Sequence, residues 1–260
     1  MEDLDVPRCV PDAADDIVRT LDAFGLHCDE SVLYQSRRTE AYEEALHRLQ
    51  QLGTVYPCCC TRREIADSAL HGIDGQIYPG TCRDGIPAGR QQRAWRVLTN
   101  SEDVAFDDAL QGRITQNLEN EIGDFVVKRA DDLFAYQLAV AVDDAFQNVT
   151  HVIRGCDLIA STPRQIYLQR LLGLSTPLYM HLPVAVNARG EKLSKQTLAP
   201  AITTDSAVAT MIEALEFLRQ QPPPELRQGS IEEVLSWAIM HWQPDELKGC
   251  RELPAKINQG

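Results

Sequence analysis

Four stretches of this chain carry side chains whose types and spacing could do chemistry. The first is the run Cys58, Cys59 and Cys60, with Cys82 following beyond a Gly-containing loop. On an extended segment Cys58 and Cys60 point one way and Cys59 the other. With Cys82 closing a chelate loop, three thiolates suit tetrahedral zinc, and the fourth ligand would be His71, Tyr78 or water. The spacing lacks the two intervening residues usual in paired zinc ligands, and a set of buried free cysteines is the competing reading. No general base stands beside the cluster, so a metal there would be structural. The second stretch is the loop Gly190-Glu191-Lys192-Leu193-Ser194-Lys195-Gln196. Its two lysines make a compact cation pair suited to a polyphosphate, against the alternative of a solvated turn. The third is Glu2-Asp3-Leu4-Asp5, a carboxylate cluster ahead of Pro7-Arg8, which competes with a solvated tail. The fourth is His151 to Asp157, an apolar run ending in Arg154-Gly155 and then an acid. Open α/β sheets place ligand contacts at that end of a strand.

These residues need elements to position them. Residues 11–27 read as a helix with Pro11 and acids in its first turn and Ile17, Leu21 and Phe24 on one face. Thr39 to Leu52 reads as a second helix, with Ala41, Ala45, Leu46 and Leu49 together and Gly53 ending it. Arg93 to Val97 and Phe125 to Lys128 read as short strands, and Phe134 to Val142 as a buried strand or helix. Ser161 to Leu172 is expected to be a helix capped by Ser161 or Thr162 and begun by Pro163. His181 to Val186 reads as a strand, and residues 201–260 as helical with a break at Pro222 to Pro224.

Composition narrows the field. The chain has 260 residues and a net charge of −13, which excludes a polybasic nucleic-acid binder but not one gripping RNA over a small face. The acidity lies mostly in the two end segments, while the segments holding Arg154 and Lys195 are near neutral. The apolar runs fall short of a membrane span, and the acidic start does not read as a secretory leader. Eight cysteines, three of them consecutive, do not form a secreted disulfide framework. A cytoplasmic, monomeric protein is the expectation. The P-loop, the dinucleotide fingerprint, H-E-x-x-H and G-x-S-x-G are all missing.

Taken together, EDLD-x-PR, Cys-x-Cys, Tyr-x-x-x-Cys, FAYQLAVAVDDA, VIRGCDL, HLPVAVN and KLSKQ resemble the glutamate and glutamine branch of the class I aminoacyl-tRNA synthetases. KLSKQ looks like that class's KMSKS signature. The order resembles in particular the short paralogues that lack an anticodon-binding domain and attach glutamate to queuosine in tRNA(Asp), and the likeness runs from residue 2 to about residue 240. It implies an α/β fold: a Rossmann-like parallel sheet, a zinc-containing insertion and a short helical C-terminal region. The corresponding segments are 1–52 and 121–200 for the catalytic domain, 53–120 for the insertion and 201–260 for the C-terminal helices.

The resemblance also implies residue roles. Glu2, Tyr136 and Arg154 match contacts to the substrate glutamate, with Arg154 holding a carboxylate. Lys195 matches the KMSKS lysine that contacts ATP and its Mg²⁺-bound phosphates. Cys58, Cys60, Tyr78 and Cys82 match the ligands of one structural Zn²⁺, which makes Cys59 and His71 non-ligands. The implied substrates are L-glutamate, ATP and queuosine-containing tRNA(Asp). Val140 stands where the tRNA(Glu)-charging enzymes generally have asparagine, which disfavours that rival; a non-catalytic tRNA-binding remnant is the other. In the family a first strand, an HIGH-type motif and its helix precede EDLD and hold ATP. A protein beginning at Met1 is therefore expected to activate glutamate poorly, unless an internal methionine has been taken as its start. Asp131-Asp132 occupies a turn that is usually Asp-Gly, so Asp132 is expected to need a positive φ.

Overall fold

The computed structural model describes residues 1–5, 9–66, 71–72, 75–193 and 202–255, with 71–72 and 75–76 described in backbone only. Lys195, the rest of its motif beyond Leu193, and Val6 to Arg8 lie outside the described residues. In chain order the elements are α1 (Ala13–Ala23), α2 (Thr39–Gln51), β1 (Val55–Cys58), α3 (Arg62–Ala66), β2 (His71–Gly72), β3 (Gly75–Gln76) and β4 (Ala94–Val97). Next come β5 (Asp103–Asp108), β6 (Gly112–Asn117), α4 (Leu118–Glu121), β7 (Val126–Lys128), α5 (Tyr136–Phe146), β8 (His151–Gly155) and α6 (Thr162–Leu172). The chain continues through β9 (Leu178–Leu182), β10 (Val184–Val186), α7 (Ala207–Phe217), α8 (Ile231–His241) and β11 (Glu252–Pro254).

The central sheet has the order β6-β5-β9-β8. It is mixed, where the sequence led us to expect a parallel sheet. β9 runs parallel to β8 and to the end of β5, whereas β5 and β6 are antiparallel over their full length. The connections explain the difference. Only Ala109 to Gln111 join β5 to β6, which forces a hairpin, while α6 supplies the long crossover that a parallel β8–β9 pair needs. A second sheet, β1-β4-β7, is antiparallel, and β10 pairs in parallel with β11. The β5–β6 hairpin, inside the segment expected to be an insertion, thus belongs to the same sheet as β8 and β9.

The main core lies between α2, α5, α6 and these sheets, with Tyr42, Leu49, Val97, Val127, Leu138, Ile166 and Leu168 buried in it. FAYQLAVAV resolves to helix: Leu138, Ala139, Val140 and Ala141 are all buried, so α5 is covered on most of its circumference. α2 buries Tyr42, Ala45, Leu46 and Leu49, one position different from the expected face, and Gly53 follows it at φ 67°. α1 behaves otherwise. Ile17 and Leu21 stay exposed and only Phe24, at its end, is buried. Gly25 is left-handed (φ 70°), and a Cβ there would sit 2.8 Å from Leu235 on α8.

α6 begins at Thr162 with Pro163 in its first turn and stops at Gly173, φ 66°. The expected cap is not made: Ser161 is itself helical and bonds no first-turn amide. The Thr162 hydroxyl is committed elsewhere, to Arg154 and His181. Asp132 does take a positive φ, 63°.

Candidate active site and metal centre

Arg154 sits at the carboxyl end of β8, one residue before Gly155. A Cβ on Gly155 would lie 2.4 Å from Asp157 Oδ1, so a larger residue there would push that carboxylate aside. The guanidinium is held by four neutral side chains. Its Nε donates to His181 Nε2 (3.1 Å), and its Nη2 donates to Thr162 Oγ1 and Gln165 Oε1 (2.8 Å each). Its Nη1 points to the Tyr136 hydroxyl at 3.5 Å. Among the described residues no carboxylate pairs with Arg154 directly, so its charge is left for an anion. Behind it lies a fully buried pair, with His181 Nδ1 2.7 Å from Asp108 Oδ2. Asp108 also accepts the amides of Leu110, Gln111 and His181. Burial pushes the Asp108 carboxyl up, but these bonds outweigh it and hold it below the ordinary range. Burial also lowers the imidazole pKa, against the opposing pull of Asp108. The pair is therefore an ionised carboxylate and a neutral imidazole.

Tyr136 adjoins the Arg154 guanidinium, and Glu2 is near enough for its charge to act on both. Residues 1–5 are not a solvated tail. Met1 accepts the Gln35 amide, Asp3 accepts the Ser36 amide and hydroxyl, Leu4 packs on the main core, and Asp5 pairs with Arg129 at 3.0 Å. These contacts fix the backbone on either side of Glu2, whose own side chain is exposed; partial desolvation raises its pKa, while the chain's amino group and Arg154 pull it back down. Burial and then the Glu2 charge raise the pKa of Tyr136, and Arg154 opposes them. Asp144, on α5, is pushed up to about 6, chiefly by burial; Arg154 lowers it and the Asp143 and Glu2 charges raise it. The preceding Asp143 faces the opposite way, accepting from Gln35 (3.1 Å), Arg38 (2.7 Å) and Tyr42 (2.7 Å). Of the three expected glutamate contacts, Tyr136 thus stands at Arg154, and Glu2 lies within electrostatic range of both. His181, Asp108 and Gln165 were not singled out from sequence, and Thr162 was expected only as a helix cap. His181 stands in the HLP motif, but nothing local indicates its partner on a strand 73 residues earlier.

The cysteines form a separate cluster with a small core of its own, which also includes Tyr56 and Tyr78. Cys58, Cys60 and Cys82 place their Sγ atoms within 4.8 Å of one another, and Cys60 Sγ lies 3.7 Å from Cys82 Sγ. The Tyr78 hydroxyl lies 3.4 Å from Cys58 Sγ and 3.5 Å from Cys60 Sγ. Tetrahedral zinc with ordinary bond lengths needs edges of about 3.8 Å between sulfurs and about 3.5 Å between sulfur and oxygen. Three thiols and a phenol therefore fit one ion. Cys59 departs from strict alternation: β1 ends at Cys58, and the Cys59 thiol turns to within 3.6 Å of Cys82. Burial pushes Cys82 up, but hydrogen bonds from Tyr78, Cys59 and Cys60 hold it down at about 7. Burial takes Cys60 up to about 12, Tyr78 opposes this, and the Cys82 and Cys58 thiols reinforce it. A cation would relieve that repulsion among the thiolates.

Gly123 makes the approach of Tyr78 possible. A Cβ there would lie 2.9 Å from the Tyr78 backbone nitrogen and oxygen. Arg96 was missed from sequence. Its Nε donates to Cys58 Sγ (3.3 Å), and its guanidinium lies 3.9 Å from the centre of the Tyr78 ring. The hidden signal is a cation facing the cluster from β4, the strand paired with β1. Asp124 ties the region to the sheets, accepting Arg83 at 2.7 and 2.8 Å, the Thr99 amide and hydroxyl, and the Tyr56 hydroxyl.

The strand β10 leads into a turn in which Asn187 Oδ1 accepts the amides of Arg189 and Glu191, and Leu193 returns to bond Ala185. Lys192 pairs with Asp157, just beyond Arg154. The described part of the lysine loop thus starts beside the Arg154 pocket.

Residues 1–211 match the family tRNA synthetases class I (E and Q), catalytic domain. That match defines the class: a ligase built on the class I synthetase catalytic fold. The glutamyl-Q tRNA(Asp) synthetase of Dechloromonas aromatica (strain RCB) is 60% identical over 247 residues, covering 94% of this chain and 82% of the relative. The protein of the same name from Chromobacterium violaceum is 55% identical over 242 residues, covering 93% and 80%. The chain belongs to the glutamyl-Q tRNA(Asp) synthetase family. Among solved structures, a glutamate tRNA ligase from Elizabethkingia meningosepticum CCUG26117, in complex with its amino acid, shares the fold with a TM-score of 0.75 at 18% identity. The likeness covers 98% of this chain and 59% of that one. Among the described residues no helix is long and apolar enough to cross a membrane.

Proposed function

We propose that this protein activates L-glutamate with ATP and transfers it to queuosine in the anticodon loop of tRNA(Asp). The observation that carries the reading is Arg154, a cation held by neutral partners at the end of a parallel strand, with Tyr136 beside it and Glu2 within electrostatic range. Arg154 and Tyr136 would receive a glutamate carboxylate, and Glu2 the ammonium group. The α-carboxylate attacks the α-phosphate of ATP, releasing pyrophosphate and leaving glutamyl-adenylate. A hydroxyl of queuosine then attacks the acyl carbon and AMP departs. This chemistry rests on positioning and charge stabilisation, and Lys195 would neutralise phosphate charge together with Mg²⁺.

Cys58, Cys60, Tyr78 and Cys82 would hold one structural Zn²⁺, whose chemistry is to cross-link β1 to the Tyr78–Cys82 loop. Arg96 lies against two of these four side chains and would offset the excess negative charge of three thiolates and a phenolate. The cysteine-bearing part of the segment 53–120 is proposed as a zinc-bearing insertion whose β5–β6 hairpin joins the central sheet, and α7 and α8 as a helical appendage to the catalytic domain. We place the enzyme in the cytoplasm as a monomer, where tRNA is available.

Radiolabelled glutamate, ATP and three RNAs test the reading: tRNA(Asp) with queuosine, tRNA(Asp) without it, and tRNA(Glu). Label is expected on the first alone. Charging of tRNA(Glu) instead would establish the rival glutamyl-tRNA synthetase activity and refute this one.

A further inference from the structure

A guanidinium has donors only, so any ring nitrogen it bonds must carry a lone pair. Arg154 Nε approaches His181 Nε2 at 3.1 Å, which makes Nε2 the acceptor and puts the imidazole proton on Nδ1. That Nδ1 faces the Asp108 carboxylate at 2.7 Å, a partner that can only accept when ionised. Asp108 is in turn fixed by the three backbone amides it accepts. One rigid line therefore runs from the β5–β6 turn through an imidazole to the guanidinium. Nη2 is also spoken for, by Thr162 and Gln165. The fork of Nε and Nη2, which is the usual seat of a bidentate carboxylate, is filled by the protein itself. Only Nη1 faces the Tyr136 hydroxyl and the space beside it. The Gln165 amide nitrogen is buried without a hydrogen bond of its own, although it lies near enough to Tyr136 to lower that phenol's pKa.

We propose that the buried Asp108–His181 pair positions Arg154, holding its Nε edge so that Nη1 and the Tyr136 hydroxyl together receive the substrate carboxylate. This rests on the glutamate reading above and adds the residues that set the cation's orientation. His181 and Asp108 are positioning residues here, since neither is turned toward the substrate. The pair also explains a neutral histidine 0% exposed next to a cation: it is a lone-pair donor locked in one tautomer, not a proton carrier.

The test is equilibrium binding of glutamate to the native protein and to the variants Arg154→Lys, His181→Gln and His181→Leu, with thermal unfolding of each. Losing the acceptor in His181→Leu leaves the Arg154 Nε unsatisfied and is expected to weaken glutamate about tenfold or more. His181→Gln can return an oxygen to the position of Nε2 and is expected to stay within about threefold of the native protein. Glutamate binding by His181→Leu equal to that of the native protein would overturn the proposal. If Arg154→Lys is also without effect, the carboxylate reading itself fails; if Arg154→Lys alone weakens binding, only the positioning role fails. A second readout needs no variant. In ¹⁵N spectra of the native protein His181 is expected to show a protonated Nδ1 and a bare Nε2 at neutral pH. The opposite tautomer, or a doubly protonated ring, would refute the arrangement.

Discussion

Asp143 and Asp144 are adjacent on α5 and live in opposite environments, which shows how finely position divides two identical side chains. Asp143 is surrounded by donors, whereas Asp144 is half-buried near other carboxylates and is pushed up to about 6. A carboxyl whose folded pKa lies above its unfolded value of about 3.9 binds more protons folded than unfolded between those two values. Its contribution therefore grows as pH falls from above 6 toward 4 and is lost as pH rises through 6. Replacing Asp144 by Asn should stabilise the protein more at pH 7.5 than at pH 5, as read by urea unfolding at the two pH values. An equal effect at both would contradict the raised pKa. At this scale the sequence was informative where spacing is local. Cys58, Cys60 and Cys82 lie within one short stretch and could be read as a chelating set, whereas the choice of Tyr78 over His71 or water came only from the family resemblance. Arg96, Asp108 and His181 act through partners on neighbouring strands, and strand pairing is not written in local spacing.

At the scale of elements, α5 and α2 are joined by Asp143, which accepts Gln35, Arg38 and Tyr42 at once. Asp143→Ala removes the acceptor for all three donors, and breaking a nearly buried ion pair of this kind costs about 3 kcal/mol. Chemical unfolding should show that loss, and a change of less than about 1 kcal/mol would mean the contacts are optional. Element types were largely legible: the helical periods of α2 and α6 and the apolar run of β8 were all expected. The exceptions have physical causes. Phe134 to Val142 is apolar on every side, so period alone could not separate strand from helix. α1 has an apolar stripe, yet its middle finds no partner and only its end, at Phe24 and Gly25, is packed. Thr162 has the residue type of a helix cap, but its hydroxyl serves Arg154.

Across the whole molecule, two centres rest on separate supports. The Arg154 pocket is built on the mixed sheet and the main core, while the cysteine cluster has its own small core, tied in through Asp124 and Arg83. Metal analysis is expected to give one zinc per chain, and Cys82→Ser is expected to lose it. Removing the metal with a chelator should raise amide exchange in β1 and around Tyr78 while α5 and α6 keep their protection. Uniform loss of protection would show that the cluster holds up the entire fold. The mixed sheet itself was not legible, because the β5–β6 hairpin joins β9 through register rather than through any motif.

The central claim is that glutamate goes to a modified base and not to the 3′ end of the tRNA. Nucleoside mass analysis of tRNA(Asp) after reaction with the protein, ATP and glutamate reads this directly. A glutamyl ester on queuosine is expected, and much less of it with Arg154→Lys. Glutamate found on the 3′-terminal adenosine, with queuosine unchanged, would contradict it.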